Sequence, residues 1–216
     1  MSTPPGRPKG RPPVTDHATI ERAAFALFTT RGFDATTLDA IAEAAGVGRR
    51  TLLRYYPSKN DIPWGQFDES LVDLRKSLAS MPHDIPVYEA VHRAVLAFNH
   101  VDEAALAQHR QRMTLLFRTP TLQAHSVLKY RQWREVITSY VAERSGTTAD
   151  DPLPRIVGHV TLALALSAYE QWLEHEDRML EDLLDEALAC IRRYFADPGT
   201  MTTMELAPGR MPPPRC

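Results

Sequence analysis

The sequence has little of what holds secreted or membrane folds together. Cysteine occurs only twice in 216 residues, at Cys190 and at the last position, Cys216. That is no disulfide framework, and it suits a reducing compartment. The longest apolar run, Val160 to Tyr169, falls well short of the roughly 20 residues a spanning helix needs. Met1 to Pro13 is proline-rich and basic, with no apolar stretch of the kind a secretory signal carries. Alternating strand patterns and internal repeats are absent. So are the signatures of common enzymes: no Walker loop, no Gly-x-Ser-x-Gly, no His-Glu-x-x-His and no dinucleotide fingerprint. The histidines match no zinc spacing. Glu174, His175, Glu176 and Asp177 are consecutive at a helix end and so face different ways. The expectation is a cytoplasmic chain without a membrane partner, not an enzyme, and with no cofactor or metal.

What is present is helical periodicity and an uneven distribution of charge. Apolar residues make up 44% of the chain, enough for a substantial core. Net charge is −2, but residues 1–60 carry nine basic and five acidic side chains, a net +4. The remainder is net −6. A basic head on an acidic body suits a polyanionic partner at one end only.

Residues 1–14 hold five prolines and two glycines and predict a flexible arm. Its cations, Arg7, Lys9 and Arg11, suit either a narrow minor groove or a solubilising tail. After Thr15 and Asp16, either of which can cap a helix, Ile20, Ala23, Ala24, Leu27 and Phe28 recur at helical spacing. Gly32 ends that helix. Thr37 opens a second, with Leu38, Ile41, Ala42 and Ala45 on one face. Gly46 to Gly48 turn the chain into a third helix, Arg49 to Tyr56, which Pro57 stops. Three short helices with a Gly-Val-Gly turn have the shape of a helix-turn-helix, whose third helix enters the major groove. Helix phase turns Leu52 and Tyr56 inward and Arg50, Leu53 and Arg54 outward, with Arg49, Thr51 and Tyr55 on the flanks. Arginine can bond guanine O6 and N7 together, and Leu53 can pack on a thymine methyl. Thr37, Thr51, Tyr55 and Lys59 can bond phosphates. The DNA-binding domain is thus placed at 15–60.

Residues 61–196 predict further helices, the first running from Ser58 to about Ala79 with Pro63 bending it early. The whole reads as all-α with about nine helices, and residues 197–216 as a disordered, proline-rich tail. The helix from Ile156 to Trp172 is apolar nearly all round and must be covered on both sides. The last helix carries an apolar stripe. A two-fold mate supplies the simplest cover, through Leu164, Leu180, Leu184, Leu188 and Ile191. A dimer would also place two readers on successive major grooves of a palindromic operator, about 34–36 Å apart.

The string GFDATTLDAIAEAAGVGRRTLLRYYPSK, ending at Lys59, resembles the signature of the TetR family of bacterial transcriptional regulators. Gly48 stands where serine is usual, and Leu53 where an aromatic is frequent. The segment RYYPSKNDIPWGQFD, Arg54 to Asp68, is similar to a subgroup, the regulators of mycofactocin systems. The resemblance implies dimerisation through the last helices, repression as the default, and an effector cavity between the middle helices. For that cavity the candidates are Trp64, Phe67, Phe98, Arg112, Met113, Phe117, Tyr130, Trp133, Tyr169 and Trp172, although each aromatic taken singly fits core better than pocket. The subgroup points to a long-chain acyl-CoA thioester as effector, with aromatic and Met side chains for the chain and arginines for phosphates. The competing class is a helical adaptor that never touches DNA.

Overall fold

The computed structural model describes residues 16–196. Arg7, Lys9 and Arg11, and the tail from 197 onward, lie outside the described residues. Among those described there are nine α-helices and no strand. They fall into two compact units. The head comprises the described residues up to Glu69 together with Thr114–Ser126, and the body comprises Ser70–Met113 and the residues from Val127.

In the head, α1 (His17–Arg31) starts at Asp16, whose carboxylate accepts from the Thr19 amide at 2.8 Å. The bonds from Thr19 hold the Asp16 carboxyl below its usual range. Ile20, Ala24, Phe25 and Phe28 form the buried face, and Gly32 ends the helix at φ +81°, where a side chain would be strained. Thr37 caps α2 (Leu38–Ala44) by accepting from the Ala40 amide at 3.1 Å. Gly48, in extended backbone, opens α3 (Arg49–Tyr55) without a side-chain cap.

The single helix expected from Ser58 to Ala79 is two pieces. A 3-10 helix takes Lys59–Trp64, and α4 (Phe67–Ala79) begins after Gly65, at φ +56°. Pro63 has no amide hydrogen for an α ladder, and Gly65 supplies the left-handed break. The head also extends past residue 60. The Asp61 carboxylate takes the Ser58 amide (3.0 Å) and hydroxyl (2.7 Å) with one oxygen and pairs with His125 Nε2 (3.0 Å) through the other. His125 lies in the Thr114–Ser126 corner, which these bonds tie to the head.

The body contains α5 (Val87–Phe98), α8 (Pro152–Glu174) and α9 (Leu180–Ala196), with parts of α4, α6 (Leu106–Arg118) and α7 (Pro120–Ser145). α8 starts four residues before the expected Ile156, with Pro152 in its first turn, where a missing amide hydrogen costs nothing. α9 packs along α8 and against α5. α7 and α8 approach closely at Gly158: a Cβ there would lie 2.5 Å from Thr138 Oγ1 and 3.2 Å from the Arg134 carbonyl. Arg144 holds the segment before α5 by donating to Ile85 O (2.8 Å) and His83 O (3.2 Å). No helix among the described residues is long and apolar enough to cross a membrane.

Candidate nucleic-acid interface and effector body

On α3, Leu52 is fully buried and Tyr56, just beyond the helix, nearly so. Arg49, Arg50 and Arg54 are exposed, and Leu53 is 37% exposed between them. Thr51 and Tyr55 are half-buried. Arg49 pairs with Asp39 at 2.6 Å, with both side chains more than half exposed. Such a pair is worth under about 1 kcal/mol and does not prevent transfer to a phosphate. The Arg54 guanidinium sits 5.6 Å from the Tyr55 ring centre. Arg50 has no hydrogen-bond or ion-pair partner among the described residues. Four donors or apolar contacts therefore share one accessible face of a helix that is pinned from behind.

The pin is polar as well as apolar. Tyr56 donates its hydroxyl hydrogen to Glu21 Oε1 at 2.6 Å, in a buried position. His17 Nδ1 lies 2.9 Å from the same hydroxyl, and its ring meets those of Tyr55 and Tyr56 edge-on. Because the Tyr56 hydrogen goes to the carboxylate, His17 Nδ1 is the donor. This cluster fixes α3 against α1. Helix phase places Tyr56 inside, but nothing in the sequence distinguishes Glu21 and His17 from solvated polar residues of α1.

Lys59, expected at a phosphate, is placed differently. Its ammonium donates to Phe33 O (2.8 Å) and Thr36 O (2.9 Å), approaches Asp34 O (3.4 Å), and lies 4.4 Å from the Phe33 ring centre. Three donors meet three carbonyls of the α1–α2 loop, so Lys59 braces the loop. Thr37 is exposed, and its hydroxyl oxygen is already the α2 cap.

The candidate effector residues divide between the units. In the head, the Trp64 and Phe67 rings meet at 5.0 Å, and Phe117 is half-buried. In the body, Phe98 meets Trp133 at 6.3 Å and Tyr169 meets Trp172 at 6.1 Å, both edge-on. Trp133, Tyr169 and Trp172 are buried, whereas Phe98, Arg112, Met113 and Tyr130 are half-buried. Arg110 stacks 4.1 Å from the Trp172 ring centre and donates to the Trp172 carbonyl.

The expected dimer residues also divide. Leu180 is 3% exposed and Leu184 0%, because the α9 stripe faces α8 and α5 of its own chain. They are protomer core, not seam. Leu164, Leu188 and Ile191 instead line an open apolar groove of about 530 Å³, beside Leu153 and Ile156, which are more than half exposed. Among the described residues no cluster suits a metal ion.

Comparison with known proteins agrees with this geometry. Residues 20–62 match the bacterial regulatory proteins of the tetR family, and residues 85–196 match the MftR C-terminal domain. The chain is 44% identical over 178 residues to a Mycobacterium tuberculosis protein named as a mycofactocin biosynthesis transcriptional regulator, MftR. That alignment covers 82% of this chain and 90% of the relative. Two solved structures share the fold. The fatty acid degradation regulator FadR of Bacillus halodurans has a TM-score of 0.60 at 14% identity, covering 82% of this chain and 97% of that one. Thermus thermophilus FadR, a repressor solved with lauroyl-CoA, has a TM-score of 0.51 at 23% identity, covering 92% and 100%. The matched families are transcriptional regulators, not enzymes. The chain belongs to the TetR family of bacterial transcriptional regulators, with a helix-turn-helix head and an MftR-type helical body.

Proposed function

We propose that the protein is a homodimeric repressor of mycofactocin-related genes that leaves a palindromic operator when its body binds a long-chain acyl-CoA. The observation that carries the DNA reading is the α3 face, where Arg50, Leu53 and Arg54 stand exposed on a helix pinned by Leu52 and Tyr56. Arg50 and Arg54 are the base readers in this account, and Arg49, Thr51, Tyr55 and Thr37 hold the backbone. The 44% identity to a regulator named for mycofactocin biosynthesis supports the gene context.

Dimerisation is supported by the groove at Leu164, Leu188 and Ile191, an apolar surface that a second copy would remove from water. The acyl-CoA reading rests on the aromatic residues Phe98, Trp133, Tyr169 and Trp172 of the body, on its cations Arg110, Arg112 and Arg131, and on a fold relative solved with lauroyl-CoA. The ligand must bind the DNA-incompetent arrangement better; equal affinity for both would shift nothing. A 100-fold release needs a coupling of about 2.7 kcal/mol. The test is a gel shift on DNA from the regulated promoter, titrated with oleoyl-CoA. Retention of that DNA over scrambled DNA, lost on adding oleoyl-CoA, is the expected result. Retention unaffected by oleoyl-CoA discards the ligand, and absence of specific retention favours a helical adaptor.

A further inference from the structure

The body contains a chain of hydrogen bonds whose direction can be read. Asn99 donates from Nδ2 to Val95 O at 2.8 Å, which leaves its Oδ1 as an acceptor. The Tyr169 hydroxyl fills that position, donating to Asn99 Oδ1 at 3.0 Å. The Tyr169 oxygen can then only accept, and His109 Nε2 lies 3.0 Å from it. His109 therefore carries its hydrogen on Nε2, and Nδ1 presents a lone pair. No described residue donates to that lone pair, and it is not among the buried polar atoms sealed without a partner. Burial, helped by the positive charge of Arg112, pushes His109 down to about 4, so the ring is neutral at pH 7. Its surroundings are aromatic, with Trp172 at 5.7 Å and Tyr169 also at 5.7 Å between ring centres. The body buries no carboxylate among its described residues; Glu21, in the head, is the one buried acidic side chain they include.

We propose that His109 Nδ1 is the polar anchor of the effector site, accepting a hydrogen bond from a hydroxyl or amide N–H on an uncharged or anionic ligand and discriminating against cations. The proposal rests on the reading of the chain as an effector-responsive regulator and names the chemistry of that site. An acceptor fixed by a relay rewards a donor in a matching position and leaves an isostere without one unpaired. An ammonium group also donates, but it would sit near Arg112 and Arg110 with no buried carboxylate to offset its desolvation. The sequence hides this site because His109 stands among Arg110 and Arg112 and reads as one more cation. Helix phase nevertheless puts His109 on one face with Met113 and Leu116.

The test uses the full chain and three matched probes: 2-naphthol, 2-methoxynaphthalene and 2-naphthylmethylammonium. Calorimetry on the wild type should show naphthol binding roughly tenfold or more tighter than its methyl ether, with the ammonium weakest. His109→Gln keeps an N–H at the Nε2 position for Tyr169 and removes the Nδ1 acceptor. In that variant the naphthol preference should vanish while the thermal melt stays cooperative. Should His109→Gln fail to fold, imidazole nitrogen NMR on the wild type decides: a neutral Nε2–H ring whose Nδ1 resonance moves with naphthol supports the anchor. An Nδ1–H ring, an Nδ1 resonance that naphthol leaves in place, equal affinity for naphthol and its ether, absence of naphthol binding, or a preference that survives in a folded His109→Gln would each overturn it. None of these outcomes alters the oleoyl-CoA release assay, so the broader reading stands or falls separately.

Discussion

Head and body each hold a half-buried histidine against a buried tyrosine, and the two pairs differ in one respect. In the head, the Tyr56 hydroxyl ends on the Glu21 carboxylate with His17 behind it, and the cluster holds one helix against another. In the body, Tyr169 ends on Asn99, and among the described residues nothing donates to the remaining lone pair of the histidine at the other end. A polar cluster closed on itself specifies geometry, whereas one with an open valence invites a partner. The same contrast holds for cations. Lys59 of the head is spent on three carbonyls, while Arg50 on α3 has none.

The first way to break the comparison is to put charge into the body at two heights of α9. Leu184→Glu places a carboxylate at a fully buried site and should cost more than about 4 kcal/mol, enough to lose the cooperative melt. Leu188→Glu lies in the half-buried groove and should give a folded monomer by light scattering. A stable dimer of Leu188→Glu would remove the groove from the interface.

The second concerns pH. The folded-state value of His109, near 4, lies below the ordinary 6.5 of an unfolded chain. Between those limits the unfolded chain binds the extra proton, so stability falls as pH drops from about 6.5 to about 4. The largest contribution is about 3 kcal/mol, absent in His109→Gln. Melts of both proteins across that window test it; parallel pH profiles would mean that His109 is not held neutral.

The third compares the two tyrosines. Tyr56→Phe strips a donor from the buried Glu21 carboxylate and should cost about 2 kcal/mol and weaken DNA binding. Tyr169→Phe breaks a neutral relay and should cost about 1 kcal/mol, leaving the DNA affinity of the ligand-free protein unchanged. Equal losses in stability and DNA affinity would erase the distinction between the two clusters. Last and smallest, Asp16→Ala removes the α1 cap and should lower the thermal midpoint slightly, with the cooperative melt kept.

Much of this was legible in the residues. The spacing of Ile41, Ala42, Leu52 and Tyr56 located the helix-turn-helix, because one strong apolar period and glycine punctuation leave few alternatives. The outward arginines of α3 followed from phase alone. The α9 stripe was legible as apolar, but its partner was not: Leu184 faces its own chain and Leu188 the groove, and one period of leucines looks the same in both cases. Lys59 read as a free cation because its carbonyl partners lie 23 to 26 residues away. Pro63 alone predicts a bend, whereas the break also needs the positive φ that Gly65 supplies. His109, Asn99 and Glu21 are illegible in the sequence for a common reason: polar residues inside helices acquire meaning only from partners on other helices.

The account depends most on α3 as the reader of sequence. Fluorescence anisotropy of wild type and Arg50→Ala on operator and scrambled duplexes, at one fixed salt concentration, tests it directly. A base contact is worth about 1–3 kcal/mol of discrimination. Arg50→Ala should therefore bind operator roughly 5- to 150-fold more weakly while losing far less on scrambled DNA. Equal loss on both duplexes would contradict the assignment and make Arg50 a backbone contact.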